Sequence, residues 1–239
     1  MTLSTLVPLS GLPSIGFAFQ SYDQVWAAMD GGVGDLVRDA IVKTGVVPLK
    51  KVWDNGFRLV TTSTKPIHTP DDLRGLKIGT PADPATIDTF QALGAATQQI
   101  NFNELYVALQ QGVVDGQENP LANIHSAKLY EVNKFISLTG HKWECNPLLA
   151  SRIAWGRLKP EDKRLIQEVA KEAEAHQRAL SQETDAKLLG EFRANGAVAV
   201  NEVDQAPFRA ATASVYEKWE ARPFGDFVKK LRAAATAEA

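Results

Sequence analysis

Apolar positions along the chain alternate between the period of a helix and the period of a strand, and these switches mark out most of its elements. The first twenty residues, MTLSTLVPLSGLPSIGFAFQ, are apolar without a period. Pro8, Gly11 and Pro13 interrupt any helix there and no Lys or Arg precedes it, which predicts a loop or strand end and not a secretion signal. Helical spacing covers residues 22–29 and 35–43, the second helix stopping at Gly45. Residues 46–53 and 57–62 read as two short strands separated by an Asp54-Asn55-Gly56 turn. Thr69-Pro70-Asp71-Asp72 carries helix-start signals: a capping hydroxyl, proline at the first position and acids facing the dipole. A strand over 76–80, helices over 83–93 and 104–111, and strands over 135–140 and 148–153 follow.

The longest pattern comes next. From Pro160 to about Asn195, Leu165, Ile166, Val169, Ala170, Ala173, Leu180, Leu188, Leu189 and Phe192 recur at helical spacing, and Asn195-Gly196 supplies a stop. A helix of this length is a rod of about 50 Å, wider than a compact domain of this size. Unbroken, it must cross more than one lobe; the alternative is two helices broken near Gly190 or Ser181. A strand over 197–203 and helices over 206–219 and from 224 onward close the chain. The alternation of strands and helices predicts an α/β fold with mainly parallel strands.

Charge and composition narrow the chemistry by exclusion. A net charge of −2 provides no field to recruit nucleic acid or an anionic membrane. No run of about 18 apolar residues is present, so nothing predicts a membrane span. Cys145 is the one cysteine, which rules out an internal disulfide framework. His68, His125, His141 and His176 lack metal-ligand spacing; His141 and Glu144 lie three apart on what reads as a loop and cannot fill a coordination shell alone. The Gly31-Gly32-Val33-Gly34 cluster follows a helix where a phosphate loop needs a strand, and it lacks the lysine, so it reads as a helix–helix turn. No nucleophile–base pairing stands out, and neither a catalytic site, a metal nor a cofactor is expected.

The run from Phe102 to Pro120, FNELYVALQQGVVDGQENP, closely resembles the signature of DctP-type solute-binding proteins of tripartite ATP-independent periplasmic (TRAP) transporters. The resemblance extends through Lys128-Leu129-Tyr130-Glu131-Val132 and Ser137-Leu138-Thr139-Gly140-His141, and upstream through Trp53-Asp54-Asn55-Gly56-Phe57-Arg58 and residues 69–78. It implies a two-lobed periplasmic solute-binding fold (type II-like) with a long spine helix. Lobe I would comprise residues 1–57 and 141–175, lobe II residues 58–140 and 176–239, with the helix over about 160–195 crossing both. It further implies a periplasmic protein, not an enzyme, that closes on a small organic anion and delivers it to membrane permease subunits. Against the family's pattern Met1 falls in an advanced part of lobe I, so the expectation is a first lobe that is incomplete. A truncated, non-functional fragment and an α/β small-molecule enzyme are the alternatives.

The same resemblance directs attention to six residues. Arg58, after the Asn-Gly turn, matches a ligand-touching position, and Asn119 offers a donor and an acceptor where ligand contacts fall. Phe102 would form an apolar wall, and Trp143 and Asn146 would face the cleft. Gly79 stands where the family usually has an arginine that clamps the ligand carboxylate in a two-pronged contact, so recognition here is expected to be atypical. Asp115 and Glu118 are assigned to structure, since a carboxylate facing an anionic ligand would repel it.

Overall fold

The computed structural model describes residues 3–236. After 3-10 turns at Leu3–Thr5 and Pro8–Ser14 come two helices, α1 (Tyr22–Met29) and α2 (Gly32–Val42). The glycine cluster forms the turn between them: a Cβ on Gly34 would lie 1.8 Å from the Met29 carbonyl oxygen, so only glycine lets the helices meet there. β1 (Val46–Thr62) leads through a capped 3-10 turn at Pro70–Leu73 to β2 (Lys77–Thr80), α3 (Pro84–Ala92) and β3 (Ala96–Gln99). α4 (Phe102–Gln110), β4 (Gly116–Asn119), α5 (Leu121–Ser126) and β5 (Phe135–Ser151) follow. α6 (Arg152–Arg157), α7 (Pro160–Ala194), β6 (Ala199–Glu202) and the helices α8 (Gln205–Ala211), α9 (Ala213–Glu220) and α10 (Gly225–Thr236) complete the chain.

The strands form one sheet in the order β3-β2-β4-β1-β5-β6. β2 runs parallel to β3 and β4, and β5 to β6, but β1 is antiparallel to both β4 and β5. The sheet is therefore mainly parallel, as expected, with β1 running against the other five strands, so that β1 and β5 traverse the molecule in opposite directions. Each has 17 residues, about 55 Å at the usual rise, which is why they link two lobes. Asp54-Asn55-Gly56 is not a turn between two strands. It is an irregularity within β1, where Gly56 adopts φ +103° and its N–H donates to Asp54 Oδ1 at 3.0 Å. Pairing with β5 on both sides of it keeps the strand continuous. The two strands expected over 135–153 likewise merge into β5, and Ile153 belongs to α6.

Three cores form around this frame. Leu12, Phe19, Val25, Met29, Val37 and Trp143 pack with Val215, Trp219, Phe227 and Leu231. Leu59, Leu105, Val114, Ile136, Leu188 and Phe192 form the second, and Val60, Ile67, Ile78, Phe90 and Phe208 the third. Successive residues Leu59 and Val60 enter different cores, as strand alternation requires. α10 packs on α1 and α2, and Trp219 of α9 joins Phe227 and Leu231 of α10 in completing that core. α7 is unbroken over its 35 residues. It reaches the first lobe through Arg178, which meets Asp30, and the second through Leu188 and Phe192. Among the described residues no helix is long and apolar enough to cross a membrane.

Candidate functional site

Arg58 lies where the three cores meet, between Phe57 on the first and Leu59 and Val60 on the others. The register sets Arg58 opposite Lys142 on β5, and Val60 opposite Glu118 on β4. Two cations facing each other across a strand pair repel, so the fold must supply anions between them. It supplies two. Glu118 accepts from Arg58 Nε at 2.5 Å and from Nη2 at 3.0 Å, and its backbone carbonyl accepts from Nη2 as well. Glu144 receives Arg58 Nη1 on Oε2 and Lys142 Nζ on Oε1, each at 2.7 Å. Lys142 also lies 3.5 Å from Glu118 and donates to Thr86 Oγ1 at 2.6 Å, while that hydroxyl donates to Asp83 Oδ2, the cap of α3.

His141 completes the cluster. Thr139 Oγ1 already accepts from the Val60 N–H, so it gives its own proton to His141 Nδ1 at 2.8 Å, leaving Nε2–H to donate to Glu118 at 3.2 Å. Burial lowers the His141 pKa against the pull of Glu118, so the ring is neutral at neutral pH. Burial alone would raise Glu118 and Glu144, but Arg58 and Lys142 outweigh it and hold both below the usual carboxylate range. Burial also disfavours the Arg58 charge, and the two carboxylates more than restore it. The hydroxyl–imidazole–carboxylate chain has the connectivity of a catalytic triad, yet Thr139 and His141 are sealed from solvent. Among the described residues no group of His, Cys, Asp or Glu is placed to hold a metal ion.

Exposure distinguishes the members. The Glu118 and Lys142 side chains are 0% and 1% exposed, whereas Glu144 is 23% exposed. Glu144 opens onto a cavity of about 280 Å³ whose wall also carries Asp83, Asn146, Met29, Val37 and Ile41. Cys145 lines it too, with burial pushing its thiol up to about 12.

The six residues singled out from sequence are distributed unevenly around this centre. Arg58 is its core, and Asn146 shares the cavity wall with Glu144. Asn119 ends β4, buried, donating to Gln117 and accepting from Asn123. Trp143 is buried in the first core, edge-on to Phe19 and Trp26, with Nε1 donating to Asp54 at 2.7 Å. Phe102 begins α4 and is 45% exposed. A side chain at Gly79 would set out against Leu105 and Val114, at 3.1 and 3.5 Å from its Cβ.

Residues 1–222 fit the model of DctP, described as "Bacterial extracellular solute-binding protein, family 7". The chain belongs to that family. This DctP-family chain is 53% identical over 214 residues to a Sinorhizobium fredii protein named "Uncharacterized protein y4mM", covering 90% of the chain and 39% of that protein. It is 33% identical to the 2,3-diketo-L-gulonate-binding periplasmic protein YiaO of Escherichia coli, covering 86% of the chain and 62% of YiaO. The chain thus spans less than two thirds of these relatives' lengths. A crystal structure of a TRAP periplasmic solute-binding protein from Polaromonas, bound to D-erythronate, superposes with a TM-score of 0.92 at 32% identity. That match covers 99% of the chain and 77% of the solved one, and shows that the chain has the fold of a TRAP periplasmic binding protein.

Sequence reading missed Lys142 and Glu144 as site residues. The signal that could have found them is their i, i+2 spacing, which on a strand puts opposite charges on one face. Residues 141–144 read as a loop, which hid it.

Proposed function

We propose that this chain captures a small organic acid between its two lobes as the solute-binding subunit of a TRAP transporter, and hands it to membrane permease subunits outside the cytoplasm. The observation that carries this reading is the Arg58–Lys142 pair at the lobe crossing, with a single partly exposed carboxylate between the cations and a cavity. Similar proteins lend support: relatives and solved neighbours bind 2,3-diketo-L-gulonate, D-erythronate, galacturonate and succinate. Lobe closure over such a ligand would exchange its hydration for fixed donors. Arg58 is the proposed main cation, with Asn146 at the cavity wall and Asn119, Trp143 and Phe102 in supporting positions. Gly79 is proposed to leave out a second arginine contact.

The test is titration calorimetry of the chain with D-erythronate, galacturonate and succinate. At least one acid is expected to bind with Kd tighter than about 10 μM, and Arg58→Ala to weaken it roughly ten- to a hundredfold. Absence of binding by all three at millimolar concentration would remove the organic-acid reading.

A further inference from the structure

The charge balance of the site points to a role for Glu144 that a binding cleft for anions does not require. Around the lobe crossing stand two cations, Arg58 and Lys142, and three carboxylates, Glu118, Glu144 and Asp83, for a balance of 2 − 3 = −1 with His141 neutral. Arg38, which lines the cavity where Arg58 and Lys142 lie behind Glu144, is occupied by Asp35 at 2.6 Å and the Met29 carbonyl at 3.2 Å. An incoming carboxylate would therefore enter a site with no free cation among the described residues.

The geometry points to Glu144 as a specificity-determining residue, an internal carboxylate that occupies the Arg58–Lys142 position and must be displaced before a ligand carboxylate can take it. Its two oxygens meet the two cations one each, at 2.7 Å, which is the bridging contact a ligand carboxylate would make. Both carboxylates have three donors, Glu144 taking Asn55 Nδ2 on Oε2 at 3.4 Å as its third, but Glu118 cannot serve this way because its side chain is sealed from solvent. Glu144 is partly exposed, at the cavity, and its backbone pairs with Gly56 where β1 is irregular. Once swung into the cavity, its carboxylate accepts hydrogen bonds and repels a second acid group. A ligand that brings hydroxyls beside its carboxylate satisfies Glu144; a plain dicarboxylate does not. Glu144 thus favours hydroxy acids over plain acids.

This inference rests on the organic-acid reading of the site, so its test has one arm that needs no ligand. Glu144→Ala removes the bridging carboxylate and leaves a gap beside two cations. The variant is expected to melt below the wild-type chain, and millimolar acetate, but not chloride at equal ionic strength, to restore much of the loss. In the second arm, Glu144→Gln is titrated with succinate and D-erythronate. Succinate is expected to gain roughly ten- to a hundredfold and D-erythronate to gain less or lose, so the preference for the hydroxy acid collapses. If acids bind but the preference is the same with and without Glu144, the inference is overturned and the function stands. If neither acid binds any variant, the function fails, and acetate rescue alone decides whether Glu144 holds the carboxylate position. A Glu144→Ala variant that acetate leaves unchanged overturns it.

Discussion

Two buried arginines hold the lobe crossing together, and they are partnered in different ways. Arg178, on α7, gives Nε and Nη2 to the Val52 carbonyl at 3.1 and 2.8 Å, pairs with Asp30 at 2.9 and 3.0 Å, and lies 3.7 Å over the Trp26 ring. Glu174, one turn earlier on the helix, completes its shell. Half of that environment is uncharged, so Arg178 works as a rivet between the spine helix, β1 and α1. Arg58, on β1, depends on carboxylates: Glu118 and Glu144 take its charge, and Lys142 competes for both. A rivet should tolerate the loss of one partner, while a closed set of charges should not.

That contrast sets the largest expected effect. Glu118→Ala leaves Arg58 buried beside Lys142 with only Glu144 to share, and is expected to destabilise the chain by about 3–5 kcal/mol. For a chain of this size the corresponding fall in Tm is about 6–20 °C, read by circular dichroism. Replacing both partners with apolar residues, Arg58→Met with Glu118→Leu, should recover much of the loss, because the penalty lies in the unpaired charge. A Glu118→Ala chain that melts with the wild type would erase the distinction between the two arginines.

Arg178→Ala comes next, at about 2–3 kcal/mol, since Asp30 keeps Lys51 at 2.7 Å and the interior groups that lose Arg178 are Glu174 and the Val52 carbonyl. The comparison is sharpened by where the damage appears. Hydrogen exchange should accelerate in α7 around Gln177, whose side chain spans the Asp54 N–H and carbonyl, while organic-acid affinity changes less than about threefold. A tenfold loss of affinity would instead tie the rivet to the ligand site.

The rivet and the charge cluster were not equally readable from sequence. The spine helix was, because Pro160, the apolar stripe and Asn195-Gly196 are local signals that agree with one another. The stripe did not reveal its own use: Leu165, Val169 and Leu180 are exposed, and Glu174 and Arg178 are the buried residues in that stretch. A period identifies a helix, but a buried ion pair on it is a tertiary fact. The same holds at the site. Arg58, Asn119 and Trp143 drew attention through resemblance, yet Lys142 and Glu144 matter only once β1 and β5 are one antiparallel pair. Asp54-Asn55-Gly56 concealed that pairing, since the residues of a turn and of an irregular strand are the same. β3 and β4 went unread because four residues, three of them polar in each strand, carry too little alternation.

The smallest effect lies between the two arginines, where Asp185 of α7 approaches Gly56. Its Oδ2 is 3.2 Å from where a Gly56 Cβ would stand, and it accepts the Ala122 N–H. Burial, and then the nearby Asp54 carboxylate, push its pKa up to about 6. For a carboxyl group raised in the folded state, the native chain holds a proton that the unfolded chain has released, so stability falls as pH climbs from the ordinary carboxylate range to about 6 and stays reduced above it. Asp185 is only partly buried, and solvent screening cuts the expected penalty to about 1 kcal/mol at pH 7.5. Asp185→Asn keeps an acceptor for Ala122 and removes the charge. The variant is expected to melt about 2–4 °C above the wild type at pH 7.5. The two curves should converge as pH is lowered below 4, where Asp185 is protonated in both states. Subtracting the two pH profiles removes the titration of groups not coupled to Asp185, so a flat difference from pH 4 to 7.5 would show that burial and the Asp54 carboxylate do not raise its pKa.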